Sequence, residues 1–293
     1  MKTIFVATDF SVAACNAGKY AVELAKAFNA RVVLFNTWKE IAATTIEGVL
    51  VLDWKEYEVY ARQQLTAESA IINAGGKVTV DIAFDEGDTT ESIMKAAAVH
   101  NADLIVVGMK DNGKTMRKLL GSSATSLAAK TTIPLLIVPE EAAFTNLSAI
   151  ALANEDDVEP GSDPQVLTAI REMAERFHSK VYLVRVARSE FHEVYEFQNR
   201  PYHLQKIIRN LDPQYELIRG KDIVHTLNNF IDTYDVSMLA VFPHKYSALE
   251  KLFVKSITRS MAFNTHVPLL ILPGLFDIPP EAQLNKQTAV NRE

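Results

Sequence analysis

Cysteine is all but missing from this chain of 293 residues. Cys15 stands alone, which excludes an intramolecular disulfide framework and a thiolate zinc site and suits a reducing compartment. No apolar run approaches the roughly 18 residues of a membrane span. The opening MKTIFVATDF ends its apolar stretch at Asp9, too soon for a secretory leader. These absences lead to the expectation of a cytoplasmic protein with no membrane partner. Positive charge is short as well: 30 Lys and Arg stand against 36 Asp and Glu, a net charge of −6. With no Lys/Arg run, a general nucleic-acid binder is excluded. The seven histidines show no H-x3-H or HExxH spacing, and G-x-S-x-G does not occur. No nucleophile–base pair stands out, so no catalytic residue, no metal ligand and no enzyme activity is assigned.

What is present is an ordinary soluble composition, 48% hydrophobic and 23% charged, with length for roughly two domains. Short runs that are apolar throughout alternate with stretches of helical spacing. Strands are predicted at Ile4–Ala7, Arg31–Thr37, Lys77–Phe84, Leu104–Val107 and Leu135–Val138. Helices are predicted after Ser11, over Trp54–Ile72, over Thr89–Val99 and over Ser122–Thr131. The part of the 39–73 segment before Trp54 is left without an assignment. This order predicts a parallel sheet with helices on both faces.

The centre of the pattern is DLIVVGMKDNGKTMRKLLGSSATSLAAKTTIPLLIVP, residues 103 to 139. An apolar strand stops at Gly108, and a polar loop carries Asp111 and Gly113. Gly121, Ser122 and Ser123 then open a helix. Free N–H groups and the dipole at such a helix start favour an anion, so the stretch reads as a phosphate site. The plainer reading is a βα loop whose glycines serve turn geometry.

These residues resemble the phosphate-binding loop of the universal stress protein family, G-x2-G-x9-G-S/T. Gly108 matches the first glycine and Gly121-Ser122 the last pair, while the middle glycine falls on Asp111, with Gly113 two places late. The resemblance implies strand order 3-2-1-4-5, with Thr8-Asp9 after the first strand beside the Gly108 loop. The acid after strand one, here Asp9, would contact the adenosine end of a nucleotide. The residue at the end of strand two, where a valine is usual, falls on Thr37. Local turn and capping chemistry is the alternative role for Asp9. The family resemblance implies ATP or another adenine nucleotide, with or without Mg²⁺, and a stress-response or regulatory role without clear catalysis. A non-nucleotide interaction scaffold and a slow nucleotide hydrolase stay open beside it. The related adenylate-forming pyrophosphatases use a Gly/Ser-rich loop straight after strand one, which Phe10-Ser11-Val12-Ala13 is not.

The pattern then repeats. Strands are predicted at Ser148–Ala153, Lys180–Val186, Gln214–Arg219 and Ser237–Phe242, with helices over Val166–Phe177, Ser189–Leu211 and Asp222–Thr233. A shift of 134 lays residues 108–139 over 242–273 without a gap, with nine of 32 positions identical. This is an internal duplication: two tandem doubly wound five-stranded parallel sheets, at residues 1–140 and 147–274, with a C-terminal tail over 275–293. A short polar connection over 140–147 separates them. In the second copy Gly108, Asp111 and Gly121 become Phe242, Lys245 and Lys255, only Ser256 survives of the last pair, and the strand-one acid falls on Glu155 or Asp156. Without glycines the backbone cannot approach phosphates closely, so the second copy reads as degenerate. The family commonly pairs through the edge strand after the last helix, here Leu135–Val138 and Leu269–Leu272. The resemblance therefore implies an intramolecular pseudo-dimer, with a further homodimer open.

Overall fold

A strand covered on both faces has to be apolar along its whole length, and the buried runs of this chain are of that kind. The computed structural model describes residues 1–38, 43–45, 48–50, 54–110, 122–153, 167–187, 208–241 and 265–273. In chain order its first half holds β1 (Thr3–Ala7), α1 (Val12–Phe28), β2 (Arg31–Trp38), a hairpin of β3 (Ala43–Thr45) and β4 (Gly48–Leu50), α2 (Trp54–Ile72), β5 (Val80–Glu86), α3 (Thr89–Val99), β6 (Leu104–Met109), α4 (Ser122–Lys130) and β7 (Leu135–Pro139). The second holds β8 (Ala149–Ala153), α5 (Thr168–Phe177), β9 (Lys180–Ala187), β10 (Gln214–Arg219), α6 (Ile223–Tyr234), β11 (Met238–Val241) and β12 (Leu269–Ile271).

Ten strands form one sheet in the order β10-β9-β8-β11-β12-β7-β6-β1-β2-β5. Each half contributes five parallel strands in the order 3-2-1-4-5, and the halves meet where β12 runs antiparallel to β7. Alternate side chains enter two cores. Ile4, Val6, Leu34 and Val106 face the α1, α2 and α5 side, while Phe5, Phe35, Ile105 and Val107 face α3, α4 and α6. Both cores run through residues of both halves.

The shift of 134 holds in three dimensions. Ile105, Val106 and Val107 of β6 pair with Leu135, Leu136 and Ile137 of β7. Leu239, Ala240 and Val241 of β11 pair with Leu269, Leu270 and Ile271 of β12 in the same register. The turn before the last strand is also copied, with Ile133 N–H donating to Thr131 Oγ1 at 3.1 Å and Val267 N–H to Thr265 Oγ1 at 3.2 Å.

Three local differences from the sequence pattern have physical causes. The third strand starts at Val80 and not at Lys77, because Gly76 turns the chain at φ +60° and Asn73 Nδ2 donates to Val78 O at 2.7 Å, holding 77–79 in the turn. The strand then gains its length at the other end, pairing as far as Glu86 with Trp38. Within the unassigned stretch before Trp54, the described residues form the β3–β4 hairpin. Of the helix expected over Ser189–Leu211, only the end is described, and Arg209–Leu211 is a 3-10 turn.

The connection at 140–147 is docked, not merely polar. Ala142 and Leu147 are buried, Asn16 Nδ2 donates to Pro139 O and Ala142 O, and the Phe144 ring lies 5.0 Å from Tyr20 and 5.9 Å from Phe177. The tail from 274 onward lies outside the described residues.

Candidate functional site

At the carboxyl end of β1 the sheet order reverses: β2 and β5 extend to one side, β6 and β7 to the other. Helices leaving in opposite directions open a crevice there, the usual ligand position of open α/β sheets. Here it is a cavity of about 590 Å³, within the range of small-molecule sites. Of the nine residues singled out from sequence, Thr8, Asp9, Thr37, Gly108 and Ser123 line it. Ser122 is the first residue of α4, whose first turn faces the cavity through Ser123 and Ala124. Asp111, Gly113 and Gly121 lie outside the described residues, as do Glu155, Asp156, Phe242, Lys245, Lys255 and Ser256 of the second half.

The turn after β1 is built from side-chain caps. Thr8 Oγ1 accepts from Phe10 N–H at 2.9 Å, Asp9 Oδ1 accepts from Ser11 N–H at 3.0 Å, and Ser11 Oγ accepts from Ala14 N–H at 3.3 Å to start α1. Phe10 is held in the left-handed region at φ 62°, an unusual conformation for a bulky side chain that concentrates at functional sites. Asp9 remains exposed, and its Oδ2 lies 3.3 Å from Lys110 Nζ across the mouth of the crevice. Burial pushes the Asp9 carboxyl up, but hydrogen bonds from Ser11 and the Lys110 ammonium outweigh it and hold the group below its ordinary range. It is therefore a carboxylate at neutral pH.

Gly108 has a packing reason in addition to its place in the loop. A Cβ there would meet Ala13 O at 2.4 Å and Ala14 N at 2.6 Å. Only glycine lets the end of β6 pass beneath the first turn of α1. On the opposite wall, Asn36 Nδ2 donates to Thr8 O at 2.8 Å. Asn36 Oδ1 and Thr37 Oγ1 are buried with no hydrogen-bond partner among the described residues, which marks this wall as polar and unsaturated.

Three contributors were missed from sequence. Lys110 stands inside the loop motif, between Gly108 and Asp111, and could have been read there. Asn36 looked like one polar residue in an apolar strand. Glu68 had the clearest signal: Ala61, Leu65 and Ile72 form the buried stripe of α2, and Glu68 occupies the same stripe, 6% exposed. Both its carboxylate oxygens receive the Thr8 hydroxyl, at 2.9 and 3.0 Å. Burial pushes its carboxyl up, the Thr8 hydrogen bond pulls it down, and Asp9 adds a further rise, leaving it raised overall.

In the second half, Arg185 of β9 takes the register position of Asn36, since Ile150 pairs with Val181 as Ile4 pairs with Val32. Arg185 is buried, so the two halves differ in charge at this matched strand position.

The fold and crevice define a doubly wound α/β domain with its ligand position at a topological switch point. Residues 1–139 match the model of the universal stress protein family, and this N-terminal half belongs to that family. A stretch of 76 residues is 36% identical to stress response protein NhaX of Bacillus subtilis (strain 168), covering 26% of this chain and 46% of that protein. The chain thus spans less than half the length of that curated relative. The fold as a whole resembles that of a universal stress protein from Archaeoglobus fulgidus DSM 4304, with a TM-score of 0.71 at 12% identity, over 92% of this chain and 98% of the other. It also resembles a functionally unknown protein from Pseudomonas aeruginosa PAO1, with a TM-score of 0.56 at 11% identity, over 100% of this chain and 98% of that one. Among the described residues no helix is long and apolar enough to cross a membrane.

Proposed function

We propose that the N-terminal half binds ATP or another adenine nucleotide in the crevice, without turnover, and that the chain acts as a cytoplasmic regulator in a stress response. The observation that carries this reading is the cavity at the switch point, walled by Thr8, Asp9, Thr37, Gly108 and Ser123 from separate elements. In this reading Asp9 accepts from ribose hydroxyls and the polar wall at Asn36 and Thr37 faces the base. The first turn of α4, with Lys110 beside it, meets the phosphates. Asp111 would hold Mg²⁺ if the metal accompanies the nucleotide. The two halves act as an intramolecular pseudo-dimer of tandem domains, a reading supported by the antiparallel β7–β12 seam. The second, with Arg185 at the strand position matching Asn36 and lysines in its loop sequence, serves as a partner and not as a second nucleotide site.

Calorimetric titration of ATP into wild type, Gly121→Asp and Lys255→Asp tests this. Losing two charge-assisted hydrogen bonds at ~1.5–3 kcal/mol each weakens binding by roughly a hundredfold or more in Gly121→Asp. Lys255→Asp stays near wild type. Equal weakening in both variants would assign the site to both halves. An absence of heat in wild type, with no nucleotide carried through purification, would overturn the reading in favour of an interaction scaffold.

A further inference from the structure

We infer that Glu68 is a positioning residue of the crevice, its buried carboxylate fixing the Thr8 hydroxyl and, through it, the Phe10 turn that presents Asp9 to ligand. The proposal rests on the nucleotide reading for its ligand but on geometry for its mechanism. Thr8 Oγ1 has one proton and two partners. It gives the proton to Glu68, at 2.9 and 3.0 Å, and accepts from Phe10 N–H at 2.9 Å. That last bond closes the turn in which Phe10 adopts φ 62°, and Asp9 lies between the two bonded residues. With the hydroxyl proton committed to Glu68, the oxygen lone pairs are aimed at the Phe10 amide.

The cost to the fold shows that this carboxylate is not ordinary surface charge. It sits 6% exposed on the buried stripe of α2 beside Leu65. Its hydrogen-bond partner among the described residues is Thr8. The titratable groups facing it are Asp9 after β1 and Cys15 on α1, and Lys19 faces Cys15 in turn. A leucine at this position would complete the apolar stripe, so the acid has to act through what it holds. Phe10 ties the arrangement back to α2, its ring meeting Tyr60 edge-on at 6.4 Å.

Nuclear magnetic resonance on the ligand-free full chain tests this first. The Phe10 amide should titrate in step with the Glu68 side-chain carboxyl in wild type and show no such step in Glu68→Gln. In Thr8→Val and Glu68→Leu the Phe10 amide should exchange with solvent at least about tenfold faster, as expected for one lost hydrogen bond. ATP affinity is then measured on the same proteins. Glu68→Gln, which still accepts the Thr8 hydroxyl, should bind within about twofold of wild type, while Glu68→Leu and Thr8→Val bind about tenfold more weakly. A Phe10 step that persists in Glu68→Gln, or Phe10 protection unchanged in Thr8→Val, overturns the positioning role. If wild type binds no ATP, the nucleotide reading fails, and the amide measurements still decide the role of Glu68. Should Glu68→Leu not fold, the Gln and Val variants carry the test.

Discussion

Leu136 of β7 lies opposite Leu270 of β12 in the antiparallel seam, and the two are the same position of the duplicated sequence, 134 residues apart. The flanking pairs, Leu135 with Ile271 and Ile137 with Leu269, exchange roles about this centre. A second matched pair meets on the helical layer: Phe28 ends α1, Phe177 ends α5, and their rings stand edge to face at 6.0 Å. Each of these contacts joins matched elements of the two halves. The pairing also leaves neither β7 nor β12 as an apolar edge.

Leu270 has no exposed surface, so truncation there should be felt in both halves. Leu270→Ala is expected to lose about 2–5 kcal/mol, the range for a buried leucine replaced by alanine. Leu270→Asp should open the seam, since a carboxylate would lie buried in an apolar cluster. Scanning calorimetry is expected to show one transition for wild type and two for Leu270→Asp. A single transition in both proteins would mean that the seam does not couple the halves.

The helical contact can be measured apart from the seam. Phe28 and Phe177 should couple by about 0.5–1.5 kcal/mol in a double-mutant cycle with leucine substitutions. Arg176 sits 5.6 Å from the centre of the Phe28 ring, so Arg176→Ala should reduce that coupling's background stability by a further fraction of a kcal/mol up to about 1. Additive effects of the two leucine substitutions would place the rings side by side without mutual attraction.

Strand and helix order were legible because each carries its own period, and Gly108 was legible as the residue that closes a strand at the crevice. Thr8 and Asp9 were legible as residues at a strand end. What stayed hidden depended on contacts distant in sequence. Glu68 meets Thr8 across 60 residues, and Asn36 reaches a carbonyl 28 residues away. No local period encodes either bond; only an acid on an apolar stripe hinted at the first. The start of β5 was hidden for a different reason, since Val78 and Val80 alternate as a strand does and only the Asn73 cap separates them.

Gly108 offers a test of packing against the helix. Adding a methyl group forces the Ala13–Ala14 backbone to move, because the nearest atoms lie at 2.4 to 2.6 Å. Gly108→Ala should lose about 1–3 kcal/mol, as overpacked sites do. Gly75 has open space around its would-be Cβ, so Gly75→Ala should change stability by no more than about 0.5 kcal/mol. Urea unfolding of the two variants checks the contrast, and equal losses would remove the packing explanation for Gly108.

Glu68 and Asp9 respond to pH in opposite senses, which separates them in one experiment. Burial raises the Glu68 carboxyl above its ordinary value of 4.5, so the folded state holds this proton more tightly than the unfolded chain. Between 4.5 and the raised folded value, the native state binds more protons, and stability falls as pH rises. Above that window the penalty of the buried carboxylate is complete. Asp9 is lowered from 3.8, so its contribution is present above that value and is lost as pH falls through the folded one. With its side chain 64% exposed to solvent, that contribution is small. Glu68→Gln removes the titrating group while keeping an acceptor for Thr8. Its stability should therefore match or trail wild type near pH 4.5 and gain steadily on it as pH rises through the folded Glu68 value. Denaturant unfolding of both proteins across that range supplies the curves. Two parallel curves would mean that Glu68 titrates as an ordinary surface acid, against its burial beneath the Thr8 turn.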